Sequence, residues 1–337
     1  MPRCGSQIIL CDLPIRFDNY SGCSHGCKYC FVTRKADISN INLDESATAL
    51  KRFIDGKRIS ETCWCDWDIP LHWGGMSDPF QPIENELKSS LECLKVLAET
   101  KYPFVVSTKG TTCLVQPEYL NLLKQCNAAV QVSLISPKFD ALEPGAPSFE
   151  ERLKDIAVIA SHCKRLIIRI QPYVREVKAD IISNLPRYKD AGVYGITIEG
   201  IKYFQKRKGM IKSGADFVYP VEKLKADFIQ IRQVAHDLGI KFFCGENRLR
   251  NMGDSLCCCG VDGIKGFNTN KANLNHFLYD RDNFKYTENM QKKSSSCFRT
   301  LTQNTIGGRV IKNKSFAEIM DIFTRDKTAI DSLSSTK

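Results

Sequence analysis

Short apolar runs recur at intervals along most of the chain and predict the strands of one sheet. Several runs are apolar at nearly every position, which is typical of parallel strands covered on both faces. The predicted strands are residues 7–11, 69–74, 104–107, 129–134, 166–171, 195–199 and 240–244.

Amphipathic segments lie between these runs and predict helices. Residues 82–101 begin with Pro82, which suits a first helical turn, and their apolar residues recur at steps of three and four. Residues 221–238 carry a second apolar stripe, followed by Gly239, a residue common just after a helix ends.

Strand and helix alternate about six times, which implies parallel strands joined by right-handed crossovers. We therefore predict an α/β fold, a partial (β/α)6-type TIM barrel of parallel strands, curled or open, over residues 1–250. In such a barrel the chemistry lies at the C-terminal ends of the strands.

The alternation is lost over residues 251–337, which we interpret as a cysteine-bearing C-terminal extension. This extension is expected to cap the open end of the barrel. One helix is predicted at residues 315–323, and the last ten residues are predicted to be a frayed tail.

Three cysteines follow the first predicted strand at a C-x3-C-x2-C spacing: Cys23, Cys27 and Cys30. Three thiolates on one short loop can ligate three irons of a cubane cluster and leave its fourth iron without a protein ligand. Electron-transfer clusters have full cysteine ligation, whereas an open position lets a substrate or cofactor bind the metal. The alternative is a zinc loop, or cysteines that only pack.

With the βα repeats that follow, this motif resembles the radical S-adenosylmethionine (radical SAM) enzymes. The resemblance implies a 4Fe–4S cluster on Cys23, Cys27 and Cys30, with S-adenosylmethionine bound to the open iron. It implies reductive cleavage of S-adenosylmethionine to a 5′-deoxyadenosyl radical, which abstracts a hydrogen from a substrate. It also implies a reducing electron donor such as flavodoxin or ferredoxin.

Further segments resemble the spore-photoproduct-lyase-like ("DNA repair photolyase") branch: residues 73–80, 105–109, 131–133 and 142–153. The resemblance implies these positions: Tyr29 near the adenine, Gly74, Gly75, Ser77 and Asp78 near the methionine amino group, and Lys109, Ser133 and Arg152 around the carboxylate and ribose. A zwitterion with a sulfonium needs an anionic acceptor, a cationic partner and close backbone approach. Without the cysteine loop, the same residues would be interpreted as turns and solvated charges.

Gly75 departs from the lyase pattern. In the lyase, the matching position is a cysteine that returns a hydrogen atom to the product radical, and glycine cannot donate one. We therefore do not expect a spore photoproduct lyase. The product radical must instead be quenched elsewhere, receive a hydrogen atom from 5′-deoxyadenosine, or be oxidised.

The chain has 16 cysteines and no recognisable secretion signal, which favours metal or redox chemistry over disulfides. Cys257, Cys258 and Cys259 are contiguous, and we predict that they face the same mouth as the main loop. They would ligate an auxiliary iron–sulfur cluster or zinc, completed by Cys244 or Cys297, or one of them would donate a hydrogen atom. The alternative is packing, since free cysteine is often buried.

Residues 202–212, after the sixth predicted strand, carry five cations and no acid, with Tyr203 and Phe204 interleaved. Strand polarity places this loop at the mouth of the barrel, where cations bind phosphates and an aromatic ring stacks on a base. The alternative is a solvated run of charge. The predicted substrate contacts are Lys202, Lys206, Arg207 and Lys208.

Composition excludes several classes of protein. The chain is 43% hydrophobic and 26% charged, as in ordinary globular proteins. No apolar stretch approaches the roughly 20 residues that span a bilayer, and the N-terminal segment lacks the apolar core of a secretion signal. We therefore expect a cytoplasmic protein, and its net charge of +10 favours anionic partners.

Together these features favour a radical SAM enzyme that acts on nucleic acid or a nucleotide. One alternative is a radical SAM enzyme that acts on a peptide or small metabolite. The other is a non-enzymatic iron–sulfur or zinc protein that binds nucleic acid. Cleavage of S-adenosylmethionine distinguishes both enzymes from the binding protein.

Overall fold

The computed structural model describes residues 1–4, 8–34, 37–213, 216–284, 305–306, 309–310, 314 and 316–325. The strands are β1 (Arg3–Cys4), β2 (Ile15–Phe17), β3 (Tyr20–Ser21), β4 (Asn42–Leu43), β5 (Leu71–Trp73), β6 (Phe104–Thr108), β7 (Ala128–Ser133), β8 (Arg165–Tyr173), β9 (Gly195–Gly200), β10 (Ile211–Ser213), β11 (Asp216–Val218), β12 (Lys241–Cys244), β13 (Thr305–Ile306) and β14 (Arg309–Val310). The helices are α1 (Ala47–Ile54), α2 (Glu84–Leu87), α3 (Ser89–Thr100), α4 (Thr111–Leu114), α5 (Pro117–Gln125), α6 (Phe149–Ala160), α7 (Lys178–Asp190), α8 (Val221–Asp237), α9 (Leu274–Tyr279) and α10 (Phe316–Arg325). None of these helices has the length and apolar character needed to cross a membrane.

One eight-stranded sheet organises the described residues, in the order β1-β2-β5-β6-β7-β8-β9-β12. Strand β1 is antiparallel to β2, and the other neighbouring strands are parallel. Within the described part of the chain, β1 and β12 are the two edges, so the barrel is open. The predicted α/β partial barrel is confirmed: six βα units are followed by β12.

The strand predicted at residues 7–11 is wrong. Ile8–Leu10 forms a 3-10 turn with all three side chains buried, and the first parallel strand is β2. An apolar run this short indicates burial, and its periodicity does not distinguish a strand from a helical turn.

The helix predicted at residues 82–101 is two helices, α2 and α3, separated at Lys88, which has a φ of 52°. The buried carboxylate of Glu84 accepts hydrogen bonds from the backbone N–H groups of Ser90 and Leu91, both at 2.9 Å. Glu84 thereby caps the start of α3. The helices predicted at residues 221–238 and 315–323 correspond to α8 and α10.

Alternate residues of the strands face two different environments. Phe104 and Val106 of β6 belong to the large apolar core beneath the helices, whereas Val105 belongs to a separate apolar cluster on the opposite, inner face. Because side chains alternate along a strand, the residues between the core positions also lie on the inner face. They include Arg16, His72, Ser107, Gln131, Arg169, Gln171 and Glu199.

The chain turns back after β12, since Asp254 N donates to Phe242 O at 2.8 Å. The following residues pack against the inner face at the N-terminal ends of the strands. Cys257, Cys259, Val261 and Phe267 form one apolar cluster with Leu13, Val105 and Ala129. At the start of β8, Arg165 Nη1 donates to the carbonyl groups of Gly260 and Asp262, at 2.8 and 2.6 Å.

We call residues 254–276 the plug. The expectation that the C-terminal extension caps the open end of the barrel is wrong for these residues, because they lie at the opposite ends of the strands. We call the C-terminal ends of the strands the mouth. The loops that follow each strand lie there, and the plug does not.

Phe267→Ala should lower the free energy of unfolding by about 3–5 kcal/mol, because it would open a cavity between the plug and the sheet. Phe267 is 7% exposed. The control Ile229→Ala removes an apolar side chain that is 52% exposed and should change stability by about 0.5 kcal/mol or less. Denaturant unfolding measures both variants, and equal effects would contradict the packing of the plug.

Candidate functional site

The cysteine loop follows β2 and β3 at the mouth. Backbone hydrogen bonds hold both of its ends: Cys23 N donates to Ile38 O at 2.9 Å, and Lys28 N donates to Leu142 O at 2.9 Å. The side chains of Cys23, Cys27 and Cys30 stay partly exposed. The predicted metal ligands therefore lie on a loop with a defined backbone path.

Gln81 secures the start of this loop through both ends of its amide. Its Oε1 accepts a hydrogen bond from Ser24 N at 2.8 Å, and its Nε2 donates to Gly22 O at 3.2 Å. Gly22 has a φ of 82°, and a Cβ there would lie 2.5 Å from Asn40 O. Only glycine fits this turn, because any side chain would displace the neighbouring backbone.

His25 ties the middle of the loop to two other segments of the mouth. It is 2% exposed, its Nδ1 lies 2.9 Å from Gly145 O, and its Nε2 lies 3.1 Å from Asp78 Oδ2. The ring therefore lies between a backbone carbonyl group and a buried carboxylate. A Cβ on Gly145 would lie 2.2 Å from Ser24 O, so this close approach also requires glycine.

Asp78 joins the ends of β5 and β6 to the cysteine loop. Its Oδ1 accepts from Thr108 Oγ1 at 2.6 Å and Phe80 N at 2.9 Å, while Oδ2 accepts from Lys109 N at 2.6 Å. Burial opposes the charge of this carboxylate, but the His25 charge and these hydrogen bonds lower the pKa of Asp78 to about 2.

Asp78 is buried, and its hydrogen bonds, with His25 beside Oδ2, link three segments of the mouth. Its predicted contact with S-adenosylmethionine stays a prediction. Asp78 is a positioning residue that holds the loop.

A second buried carboxylate, Glu143, lies at the end of the segment after β7. It accepts a hydrogen bond from the Tyr29 hydroxyl, and its Oε2 lies 2.6 Å from Arg152 Nη2. Arg152 is 1% exposed, and its Nη1 donates to Ser133 O at 2.7 Å. The protein surrounds the Arg152 guanidinium, so its predicted contact with the carboxylate or ribose stays a prediction. Ser133 is likewise buried, and its backbone carbonyl helps to hold Arg152.

Tyr29 and Lys109 keep partly accessible side chains at this point. Burial and the Glu143 charge raise the pKa of Tyr29, so its hydroxyl is a neutral donor. Lys109 Nζ lies 5.6 Å from the centre of the Tyr29 ring and 3.9 Å from Glu143 Oε1, and its side chain is 14% exposed. The predicted adenine and carboxylate contacts thus lie side by side.

The segment after β5 is held by Asp18, whose Oδ1 accepts from Met76 N at 2.9 Å and Ser77 N at 3.2 Å. Gly74 has a φ of 82° and donates its N–H to Phe17 O at 3.1 Å. The Ser77 hydroxyl is buried and has no hydrogen-bond partner among the described residues. A buried hydroxyl without a partner is costly, so Ser77 Oγ fits a polar group of a bound ligand.

The three loop cysteines are the residues of this site that could hold a metal. Thiolates ligate either a single zinc ion or an iron–sulfur cluster. Among the described residues, the ligand atoms of Asp12, Cys257 and Asp262 also lie within 4.8 Å of one another.

The cysteine triplet lies in the plug, away from the mouth. Cys257 and Cys259 pack beneath β6 and β7, so the expectation that the triplet faces the main cysteine loop is wrong. The reason is the turn after β12, which returns the chain to the N-terminal ends of the strands. This placement does not support Cys257, Cys258 or Cys259 as hydrogen donors at the mouth.

Among the described residues, the proposed auxiliary ligands are not gathered into one set. Cys244 lies in the helix-side core, and its Sγ donates to Glu246 O at 3.7 Å, whereas Cys257 and Cys259 lie on the inner face. Cys297 lies outside the described residues.

Beside the triplet, Lys271 Nζ lies 3.5 Å from Asp12 and 2.9 Å from Asp262, which gives these carboxylates a cationic partner. A hydrogen bond with Cys259 and the charge of Arg250 outweigh burial and lower the pKa of Cys258 to about 6.

The basic loop follows β9 at the mouth, the same end as the cysteine loop. Lys206, Arg207 and Lys208 are exposed, and the Arg207 guanidinium lies 5.2 Å from the centre of the Tyr203 ring. Lys202 forms an ion pair with Glu199, so it is not a free cation as predicted. The contact of the other three cations with an anionic substrate stays a prediction.

Sequence reasoning missed Asp18, Gln81 and Glu143. Each acts on a segment at least 27 positions away along the chain, so no local spacing identifies it. Glu143 lies in a segment that carries the family resemblance. That resemblance was the one signal in the sequence that could have identified it.

No protein-family model matches this chain. The uncharacterized protein Rv2578c of Mycobacterium tuberculosis is 24% identical over 204 residues, which cover 56% of this chain and 59% of that protein. The uncharacterized protein Mb2609c of Mycobacterium bovis matches to the same extent. The chain therefore spans less than two thirds of the length of the curated relatives it matches.

Among solved structures, Streptococcus suis SuiB bound to precursor peptide SuiA has a TM-score of 0.51 at 12% identity, covering 72% of this chain and 52% of SuiB. SuiB bound to S-adenosylmethionine has a TM-score of 0.49 at 12% identity, covering 70% of this chain and 51% of SuiB. This chain shares the fold of SuiB.

Adjacent glycines after β5 should respond differently to substitution. Gly74→Ala should lower the free energy of unfolding by about 2 kcal/mol or more, since its Cβ would lie 2.4 Å from Ser107 O at a positive φ. Gly75→Ala should change stability by about 0.5 kcal/mol, because the nearest atom to its Cβ would be Arg16 Cδ at 3.4 Å. Denaturant unfolding of the pair measures this, and equal losses would contradict the geometry of the turn.

Asp18 should make stability depend on pH. Burial raises the pKa of Asp18 from 3.8 to about 7, so the folded state keeps a proton that the unfolded state releases between these values. The wild-type free energy of unfolding should therefore fall by about 2–4 kcal/mol, relative to Asp18→Asn, as the pH rises from 4 to 8. Denaturant unfolding at several pH values measures the difference, and a constant difference would contradict the assignment.

Proposed function

We propose that this protein is a radical SAM enzyme, which reductively cleaves S-adenosylmethionine and abstracts a hydrogen atom from a substrate. The observation that carries the proposal is the C-x3-C-x2-C loop at the mouth of a partial barrel, anchored through Gln81, His25 and Asp78. Cys23, Cys27 and Cys30 would hold a 4Fe–4S cluster. When bound there, the cluster supplies the electron for the cleavage and an iron with an open coordination position.

The residues around the loop bind and orient S-adenosylmethionine. The Lys109 ammonium is a partner for the ligand carboxylate, and Ser77 Oγ is free to hydrogen-bond a polar group. Tyr29 offers a partly exposed ring for the adenine, and its orientation is set by Glu143 and Phe139. These groups are held in place by the buried side chains of Asp78, Glu143 and Arg152.

One comparison and one structural observation support this proposal. SuiB, whose fold this chain shares, has been crystallised with S-adenosylmethionine. The cysteine motif of this chain occurs at the place in the fold where the parallel strands end, which is where barrel enzymes carry their chemistry. The spore-photoproduct-lyase-like branch remains a finer prediction that rests on the segments around Gly74, Lys109 and Arg152.

We propose nucleic acid or a nucleotide as the substrate class. Lys206, Arg207 and Lys208 are exposed on the mouth side, next to the Tyr203 ring, and the net charge of the chain is +10. Cations with an adjacent aromatic ring suit phosphates and bases. A peptide is the second candidate, because SuiB has been crystallised with its precursor peptide. A reducing partner such as flavodoxin or ferredoxin would deliver the electron.

Anaerobically reconstituted protein should bind about four irons per chain and cleave S-adenosylmethionine to 5′-deoxyadenosine when reduced. Cys23→Ala, Cys27→Ala and Cys30→Ala should each lose the cluster and the cleavage. Ser77→Ala should keep its iron and bind S-adenosylmethionine about 10–100-fold more weakly, since a hydrogen bond to a charged group contributes about 1.5–3 kcal/mol. Iron analysis, chromatography of 5′-deoxyadenosine and equilibrium binding measure these effects.

The control is Cys63→Ala, which removes an exposed cysteine outside the loop and should keep both iron and cleavage. Full iron and full cleavage in all three loop variants would overturn the proposal. Wild-type protein that binds iron and nucleic acid but never cleaves S-adenosylmethionine would be the non-enzymatic alternative. Metal that survives removal of all three loop cysteines would show a second site, for which the triplet is the candidate.

A triple variant with Lys206→Gln, Arg207→Gln and Lys208→Gln should bind single-stranded DNA more weakly. The slope of log affinity against log salt should fall by about 0.7 for each phosphate that the variant no longer neutralises. A salt series of fluorescence anisotropy titrations measures this. The control removes three cations from exposed helix faces and should keep the wild-type slope: Arg52→Gln, Lys124→Gln and Lys154→Gln. Equal slopes for the two triple variants would favour a solvated run of charge.

A further inference from the structure

Two arginines on the inner face lie below the cofactor site, within the barrel. Arg16 is flanked in β2 by Ile15 and Phe17, which both belong to the helix-side core, so Arg16 lies on the opposite, inner face. Arg169 is placed in the same way between Ile168 and Ile170 of β8. Both residues lie on the inner face, and their strands β2 and β8 are separated in the sheet by β5, β6 and β7.

His72 and Ser107 connect them. Arg16 pairs in register with His72 of the neighbouring strand β5. His72 Nε2 lies 2.9 Å from Ser107 Oγ, and Arg169 Nη1 donates to the same oxygen at 2.9 Å. Arg169 therefore reaches across β7, and the two guanidinium groups flank one imidazole and one hydroxyl.

Both arginine side chains keep hydrogen-bonding capacity. The Arg16 side chain has no hydrogen bond or ion pair with any described residue, and Arg16 is only partly exposed. Arg169 uses Nη1 for Ser107 and Nε for Gln171 Oε1 at 2.6 Å, which leaves Nη2 without a partner among the described residues. A guanidinium within a protein is stabilised by an anion, and within the described part of the chain neither arginine forms an ion pair.

The neighbouring titratable groups do not supply this charge. Burial and the charges of Arg169 and Arg16 lower the pKa of His72 to about 3, so His72 is a neutral hydrogen-bonding group. Glu199 forms an ion pair with Lys202. Asp18 lies close enough for the Arg16 charge to act on it, but burial outweighs this effect and raises the pKa of Asp18 to about 7. Within the described residues Asp18 forms no ion pair with either arginine, and its Oδ1 accepts from the backbone of Met76 and Ser77.

The plug and Gly75 define the approach to this pair. The plug packs against the inner face at the N-terminal ends of the strands, so a ligand approaches from the mouth. A Cβ on Gly75 would lie 3.4 Å from Arg16 Cδ and 3.7 Å from Asp18 Oδ2. Glycine at position 75 therefore leaves room beside the Arg16 side chain, where a larger side chain would crowd it.

We infer that Arg16 and Arg169 together bind a phosphate group of the substrate inside the barrel, with His72 and Ser107 as neutral hydrogen-bonding neighbours. This inference rests on the proposed function, because it places the substrate between these arginines and the mouth. Planar guanidinium groups match the oxygens of phosphate in pairs, and two of them balance the double charge of a terminal phosphate. The exposed cations of the basic loop at the mouth favour the same substrate class.

The test uses full-length protein without S-adenosylmethionine and inorganic phosphate as the probe. Phosphate binding, followed by ³¹P NMR line broadening, should weaken about tenfold in Arg16→Gln and in Arg169→Gln, and further in the double variant. Arg169→Lys, which keeps the charge but loses the planar fork, should fall between wild type and Arg169→Gln. The matched control Arg52→Gln, on the exposed face of α1, should bind phosphate as the wild type does.

Circular dichroism and iron content establish that each variant is folded. Unchanged phosphate affinity in folded Arg16→Gln and Arg169→Gln would overturn the inference. Acetate that displaces phosphate at equal concentration would also overturn it, in favour of a carboxylate substrate such as a peptide. Cleavage of S-adenosylmethionine by the wild type is measured in a separate assay. If the wild type does not cleave it, the proposed function is refuted, whereas the phosphate-binding result still tests the two arginines.

Discussion

The candidate site depends on one buried carboxylate. Asp78 accepts hydrogen bonds from Thr108, Phe80 and Lys109 and faces His25, so it ties the ends of β5 and β6 to the middle of the cysteine loop. An ionised carboxylate in the interior is stable only when such donors surround it. The donors keep the pKa of Asp78 at about 2, so the anchor stays charged over the whole physiological range.

At the mouth, buried ion pairs and hydrogen bonds hold the residues that position the site, and other residues are left to contact a ligand. Arg152 and Glu143 neutralise each other almost without exposure, and Glu143 in turn orients Tyr29. The groups left for a ligand are Lys109 and the Tyr29 ring, which are partly exposed, and the buried Ser77 hydroxyl, which has no partner among the described residues. A site built in this way has a rigid base and a small number of ligand-facing groups, which limits the reorganisation that binding requires.

The two ends of the barrel have opposite character. At the N-terminal ends, the plug seals the inner face with apolar side chains such as Val261 and Phe267. Further along the same strands, the inner positions are polar or charged, as at His72, Gln131 and Arg169. Polar groups inside a barrel are costly unless they are hydrogen-bonded to one another or to a ligand. The interior is therefore suited to hold a polar ligand that enters from the mouth.

The sequence by itself determined the alternation of strands and helices, because burial on both faces leaves a local pattern at β6–β9. It also determined the cysteine spacing, since all three cysteines lie within one short loop. Only the tertiary structure decided which polar residues near the mouth are paired within the protein: the partners of Asp78 and Arg152 come from other segments of the chain. It also decided the place of the triplet, because a hydrogen bond from Asp254 to Phe242 turns the chain back along β12, and no local pattern encodes a pairing between a loop and the strand before it.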